Sequence, residues 1–306
     1  MKNIFIYGTG ASAQKYISEL PSNYRIISFL ESNPTKESFM NVSVRKFPEG
    51  DYIDFDFVII ASMYYPEILE LLIENNIPIE KIKIATSHKD DPRFGVLMIN
   101  PKEVMKNIDK YKSFKEEVNQ IEEFVNENNP LLIRDRLDHL KYCFNESNQK
   151  GHNFEFGVYK GESLLYLSSL SEKPVWGFDS FCGALEDSPW SLRENKTKPL
   201  LISDEIRDYK YLCIGFFHET LKNWIEENKP EYVSFLHYDA GDFEATCFVM
   251  EHLCPLMAKG SIIVFDEFIP SPTELRASEH DAFKLFCKQD FEIISRSGSS
   301  VGIKIK

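Results

Sequence analysis

Hydrophobic positions along this chain fall into short strand-like runs separated by longer, mixed stretches. Near the amino terminus the runs are 3–7, 25–30, 55–61 and 82–85. Their unbroken apolar character predicts buried strands. Residues 14–20 and 66–75 carry helical patterning between them, the second opened by its proline. Strands alternating with helices predict a parallel sheet. Residues 91–150 are more polar and charged, and predict helices over 101 to about 125 and 130 to about 144, a connector and a cover for the carboxyl-terminal part. Alternation then resumes, with strands expected over 154–156, 175–178, 211–214, 233–238 and 261–265. Two alternating segments around Ser297-Gly298-Ser299 end the chain as a β-hairpin.

The pattern divides the chain into a small Rossmann-like, nucleotide-binding-type domain over 1–90, a helical connector over 91–150 and a second α/β domain over 151–306. A parallel sheet that finishes in an antiparallel hairpin is similar to the class I methyltransferase fold, so the expected fold class is α/β with two Rossmann-like parts.

Composition narrows the partners. The formal net charge of −13 argues against a nucleic-acid backbone, which needs clustered Lys and Arg. No apolar run approaches the roughly 20 residues of a membrane span. MKNIFIYGTG enters a strand directly, without a basic region and cleavage site. The expectation is a cytoplasmic protein. Its six cysteines, at 143, 182, 213, 247, 254 and 287, lack zinc spacing and read as buried free thiols.

Residues 154–181 carry most of the chemistry. Glu155 closes an apolar run, Gly157 and Gly161 follow at a spacing of four, and a second run ends in Asp179. Parallel strands with these features put a glycine turn and two acids at one sheet edge. Glycines let the chain turn tightly and let a ligand lie against backbone. The acid after the second strand can take two ribose hydroxyls. The alternative is that Glu155 caps a helix and Asp179 starts a turn.

E-x-G-x-x-x-G resembles the first motif of S-adenosylmethionine (SAM) methyltransferases. EFGVYKGES, VWGFDSFCGALED, YLCIGFFHETL and LHYDAGDFEAT…GSIIVFDEF, in that order, resemble the macrocin O-methyltransferase family. That resemblance covers roughly 130–290 and implies SAM-dependent methylation of a sugar or nucleotide-linked sugar hydroxyl, with Mg²⁺ or another divalent cation. It assigns SAM contacts to Glu155, Gly157, Gly161, Asp179 and Ser180.

Asp239, Asp266 and Glu267 end two later strands, and carboxylates gathered there repel unless a cation joins them. Oxygen ligands of this kind suit Mg²⁺ or Ca²⁺. In the family the later strand ends in Asp-Asp, whereas this chain has Glu267. Asp239 is expected as metal ligand and base, with His237 two residues earlier on the same face. His218 is a further site residue. Asp242 is expected to cap the following helix. Trp190, Arg193, Arg276 and His280 lie in long polar stretches after strand ends and read as substrate contacts or as plain surface loop.

At the amino terminus Gly8-x-Gly10-x-x-Ala13 follows a strand, and Glu31 follows the second strand, as in a dinucleotide fingerprint. The unit resembles the small nucleotide-binding domain preceding the catalytic part of some bacterial sugar acyltransferases. It either binds a nucleotide or serves as a structural and dimerisation module. Rival readings are a metal-independent methyltransferase, a nicotinamide-linked oxidoreductase run from Gly8 and Gly10, and a non-catalytic nucleotide-binding protein. The partner expected is a small molecule rather than a membrane or nucleic acid. A homo-oligomer is compatible with the sequence and not required by it.

Overall fold

The strands in this computed structural model form two sheets, one in each of two compact units, residues 1–115 and 116–306. The structure describes residues 1–49, 52, 54–86, 96–181 and 202–306.

The first unit runs β1 (Lys2–Tyr7), α1 (Ala11–Ser18), β2 (Tyr24–Glu31), β3 (Ser38–Phe39), β4 (Val42–Lys46), β5 (Phe57–Ile60), α2 (Tyr65–Glu74), β6 (Ile82–Thr86), β7 (Leu97–Ile99) and α3 (Pro101–Lys106). Strand order is β3-β4-β2-β1-β5-β6-β7. The four strands read from the sequence are the buried parallel centre; β3, β4 and β7 are edge additions too short to show a period. Both faces of β1 are buried: Ile4 and Ile6 pack with Phe29 and Ile59, and Phe5 and Tyr7 with Leu30 and Val58. Two-sided burial explains why these strands are continuously apolar. The helix expected from 101 breaks at Asn107, which closes α3 before α4 (Ile108–Glu127) begins.

The second unit runs β8 (Leu131–Leu132), α5 (Arg136–Glu146), β9 (His152–Phe156), α6 (Glu162–Leu170), β10 (Val175–Asp179), α7 (Asp204–Arg207), β11 (Leu212–Ile214), α8 (Phe217–Asn228), β12 (Val233–Tyr238), α9 (Phe243–Leu253), β13 (Met257–Phe265), α10 (Ser278–Phe286), β14 (Phe291–Ser297) and β15 (Ser300–Ile305). The order is β11-β10-β9-β12-β13-β15-β14-β8. β9 to β13 are mutually parallel, and β15 is antiparallel to both β13 and β14. The expected terminal hairpin is present, closed at Gly298 in a left-handed conformation. The helix expected from 130 does not start there. Leu131 and Leu132 pair with β14 instead, and α5 starts at Arg136 behind an Asp135 cap that accepts the Asp138 N–H at 2.9 Å.

Alternation along the central strands sends Phe154, Phe156 and Phe178 into one aromatic layer, in which Phe156 and Phe178 stack and Phe154 is tilted against both. Tyr238 and Phe265 extend it. These side chains lock β9, β10, β12 and β13 in register, so their carboxyl ends finish together along one edge. Among the described residues no helix is long and apolar enough to cross a membrane.

Candidate active site

β9 and β10 are neighbours, and the turn after β9 contains both glycines of the sequence motif. Both also meet other parts of the protein closely. Gly157 has φ +89°, and a Cβ there would lie 1.9 Å from the carbonyl oxygen of Asp239. Gly161 has φ +82° and a Cβ there would strike Ile206 at 2.0 Å. Each glycine is required by protein packed against it: the chain leaving β12 in one case, the side chain from α7 in the other. Gly161 also opens α6.

Asp179 ends β10 and ties two loops together. Its Oδ2 accepts the Tyr159 N–H and its Oδ1 the Phe181 N–H, both at 2.7 Å. A carboxylate offers about four acceptor positions, so a ribose diol is compatible with these two bonds. Ser180, half-buried, follows it at the same edge.

Glu155 is fully buried one strand away. Its Oε1 accepts from Ser163 Oγ at 2.8 Å, and its Oε2 faces His237 Nδ1 at 3.3 Å. The expected direct contact with a cationic ligand is therefore replaced by contacts within the protein. His237, on β12, has no exposed surface either. Its Nε2 lies 3.8 Å from Asp266 Oδ1. Burial pushes its ring toward neutrality, but the carboxylates of Asp266 and Glu155 outweigh burial and hold the pKa up at about 9.

Arg136 completes the cluster and is the residue that the sequence pattern did not reveal. From the first turn of α5 its Nη2 donates to Asp239 Oδ2 at 2.6 Å and its Nε to Asp266 Oδ1 at 3.1 Å. A continuous series results: Ser163, Glu155, His237, Asp266, Arg136, Asp239. Burial opposes ionisation of Asp266, yet His237 and Arg136 hold its carboxyl down at about 2. Asp239, half-buried at the end of β12, is pushed up to about 7 by lost hydration and by the neighbouring Asp266 charge.

The remaining expected residues scatter. Glu267 is exposed, and its backbone N–H donates to the buried Glu279 at 2.8 Å. Asp242 caps α9 through the Ala245 N–H at 2.8 Å, as its position predicts. His218 stands at the start of α8, half exposed, stacked on Phe216. Arg276 lies 3.3 Å above the ring of Phe243, and His280 is buried against Phe268. Trp190, Arg193 and Cys182 fall outside the described residues.

Among the described residues, His237, Asp239 and Asp266 are the three whose ligand-type atoms lie within 4.8 Å of one another; Glu267 is not in that group. One imidazole and two carboxylates are suitable donors for a divalent ion. As arranged, Arg136 already binds one oxygen of each carboxylate, so a cation of this chain stands between them. The edge at β9 and β10 offers polar groups of the kind a nucleoside takes. It has a strand-end carboxylate at its lip, a glycine turn beside it, and a buried acid beneath.

Residues 154–268 match the family model described as a methyltransferase domain, and residues 1–84 match one described as C2185-like, N-terminal. No curated protein matches the chain. Solved structures similar to it include the O-methyltransferase NovP, 21% identical over 56% of this chain and 79% of that one, with a TM-score of 0.41. CalS11, a calicheamicin methyltransferase, is 19% identical over 71% of this chain and 95% of its own, at 0.43. An O-methyltransferase from Bacillus cereus in complex with SAH is 16% identical over 62% and 90%, at 0.35. Likeness of this size carries no weight for substrate or mechanism. The domain match begins on β9 and ends just past β13, spanning every residue of the cluster except Arg136. Residues 154–268 are thus a methyltransferase domain, set in a unit of Rossmann-like α/β fold.

Proposed function

We propose that this protein is an O-methyltransferase acting in the cytoplasm on a hydroxyl of a sugar or nucleotide-linked sugar. The observation that carries this is the half-exposed carboxylate of Asp239 at the end of β12. It lies beside the strand end that opens the SAM motif, with one oxygen pinned by Arg136. In the transfer the acceptor oxygen forms the new bond to the methyl carbon, its proton passes to Asp239, and the carbon–sulfur bond of SAM breaks with its electron pair left on sulfur.

The chain's own part is orientation and proton acceptance. A carboxyl held near pH 7 matches general-base work in neutral solution. His237, wholly enclosed, touches no substrate; it positions Asp266, and through Arg136 the base. Glu155 forms the floor of the crevice, and Asp179 at its lip is the ribose acceptor. Gly157 and Gly161 hold the crevice walls in place, and Ser180 lines its adenine side. The sugar class rests on the ordered motifs in 130–290. The divalent cation expected at Asp239, Asp266 and Glu267 enters no step here.

In the amino-terminal unit, Glu31 at the end of β2 accepts from the Thr9 hydroxyl of the glycine turn. One such bond leaves further acceptor positions on the carboxylate, so the unit suits a nucleotide site as well as a structural module.

Incubating the protein with methyl-labelled SAM and a panel of nucleotide-sugars, with and without EDTA, tests the function. Label should appear in a sugar product. Label appearing only on nitrogen acceptors would refute the hydroxyl assignment.

A further inference from the structure

The structure assigns the cation position of the acceptor site to Arg136: we infer that its guanidinium, in place of a divalent ion, joins Asp239 to Asp266. The inference rests on the methyltransferase reading and adds to it the identity of the resident cation.

Two hydrogen bonds define the position, Nη2 to Asp239 Oδ2 at 2.6 Å and Nε to Asp266 Oδ1 at 3.1 Å. Charge-assisted bonds of these lengths are strong ones. A hard divalent ion takes carboxylate oxygens at about 2.0 to 2.6 Å. An ion at that distance from Asp239 Oδ2 and Asp266 Oδ1 would occupy the space of the guanidinium N–H groups and would face a like charge in contact.

The arginine is not on a loose loop. It is the first residue of α5, whose start is fixed by the Asp135 cap. Behind it His139, Leu140, Cys143 and Phe144 are buried. Cys143 and His139 both contact Ser295 of β14, at 3.1 and 2.9 Å. The Ile133 N–H, just before the helix, donates to Arg296 O at 2.9 Å. Withdrawing Arg136 would therefore break two ionic hydrogen bonds without any adjacent segment moving to compensate. Glu267, needed to complete an all-carboxylate ligand set, is exposed and outside the cluster.

Guanidinium also offers what a metal cannot. It is a planar donor with five N–H groups, of which Asp239 and Asp266 engage two in these bonds. Arg136 fixes the direction of the base and supplies positive charge at the sheet edge without a hydration shell.

The test uses the full chain and Mn²⁺ alone as the probe, read by electron paramagnetic resonance, so no acceptor is needed. Wild type should show no saturable Mn²⁺ site. Arg136→Gln should tighten Mn²⁺ binding by about tenfold or more, since a neutral side chain leaves the carboxylates facing each other. Arg136→Lys, which keeps the charge, should behave as wild type, and Arg136→Gln with Asp266→Asn should lose the gained site. A saturable Mn²⁺ site in wild type that disappears in Asp266→Asn would overturn the inference. So would unchanged Mn²⁺ affinity in folded Arg136→Gln. SAM titration of the same wild-type sample separates the two ideas: failure to bind SAM defeats the methyltransferase reading, whatever Mn²⁺ does.

Discussion

The two units follow the same plan at their sheet edges and do different things with it. Each has a parallel strand, a glycine turn into a helix, and an acid at the end of the next strand. In the first unit Glu31 pairs with Thr9 inside the turn, and the buried polar side chains are only Ser28 and Thr86 among the described residues. In the second unit Glu155 and His237 are wholly buried and linked to Asp266, Arg136 and Asp239. Taking ionisable groups out of water is costly unless they are paired. A fold keeps such groups where chemistry needs fixed charges. The shared topology supplies an edge; the buried charges set the second edge apart from the first.

Five experiments probe that contrast. Asp239→Asn should lower methyl transfer by about 10²- to 10⁴-fold, the usual worth of a general base, while SAM affinity stays within about twofold. Equal loss of SAM binding would show that Asp239 serves the cofactor instead. His237→Ala should cost about 3 to 5 kcal/mol of stability in denaturant unfolding, because Glu155 is left buried without its cation. A loss under about 1 kcal/mol would mean that water reaches Glu155.

Third, the glycines of the two turns should separate. Gly157→Ala meets Asp239 O at 1.9 Å with φ +89°, and should destabilise by roughly 3 kcal/mol. Gly10 has φ −87° and nothing within 4 Å of a Cβ, so Gly10→Ala should stay within about 0.5 kcal/mol. Fourth, kcat/KM should rise about tenfold per pH unit up to pH about 7 and then level off. Asp239 has its pKa raised to about 7, so the basic form needed for proton acceptance is lost as pH falls through that value. A profile flat from pH 5.5 to 8 would remove Asp239 as the base. Fifth, Glu31→Gln should leave methyl transfer and SAM affinity unchanged; a tenfold loss of either would tie the first unit to the reaction.

Much of this arrangement is legible in the sequence. Parallel central strands declare themselves as unbroken apolar runs because both faces are buried. The hairpin at Gly298 and the Asp242 cap come from local chemistry, which sequence carries directly. Arg136 could not be read that way, since its partners Asp239 and Asp266 are 103 and 130 residues distant and no spacing rule links them. The nearest signal was Asp135 with Asp138, a cap-like pair that places a helix start at 136 rather than 130. The glycines mark the turn in the sequence, but the packing that requires them does not show there. What presses on Gly157 is the backbone after β12, which becomes a neighbour only once the sheet is assembled.

The central claim is that the catalytic edge belongs to residues 116–306 and holds SAM at β9 and β10. Titration calorimetry of the full chain with SAM tests it most directly. One saturable site is predicted, with equal affinity in wild type and Glu31→Gln. No saturable binding in wild type, or a site that vanishes with Glu31→Gln, would contradict it.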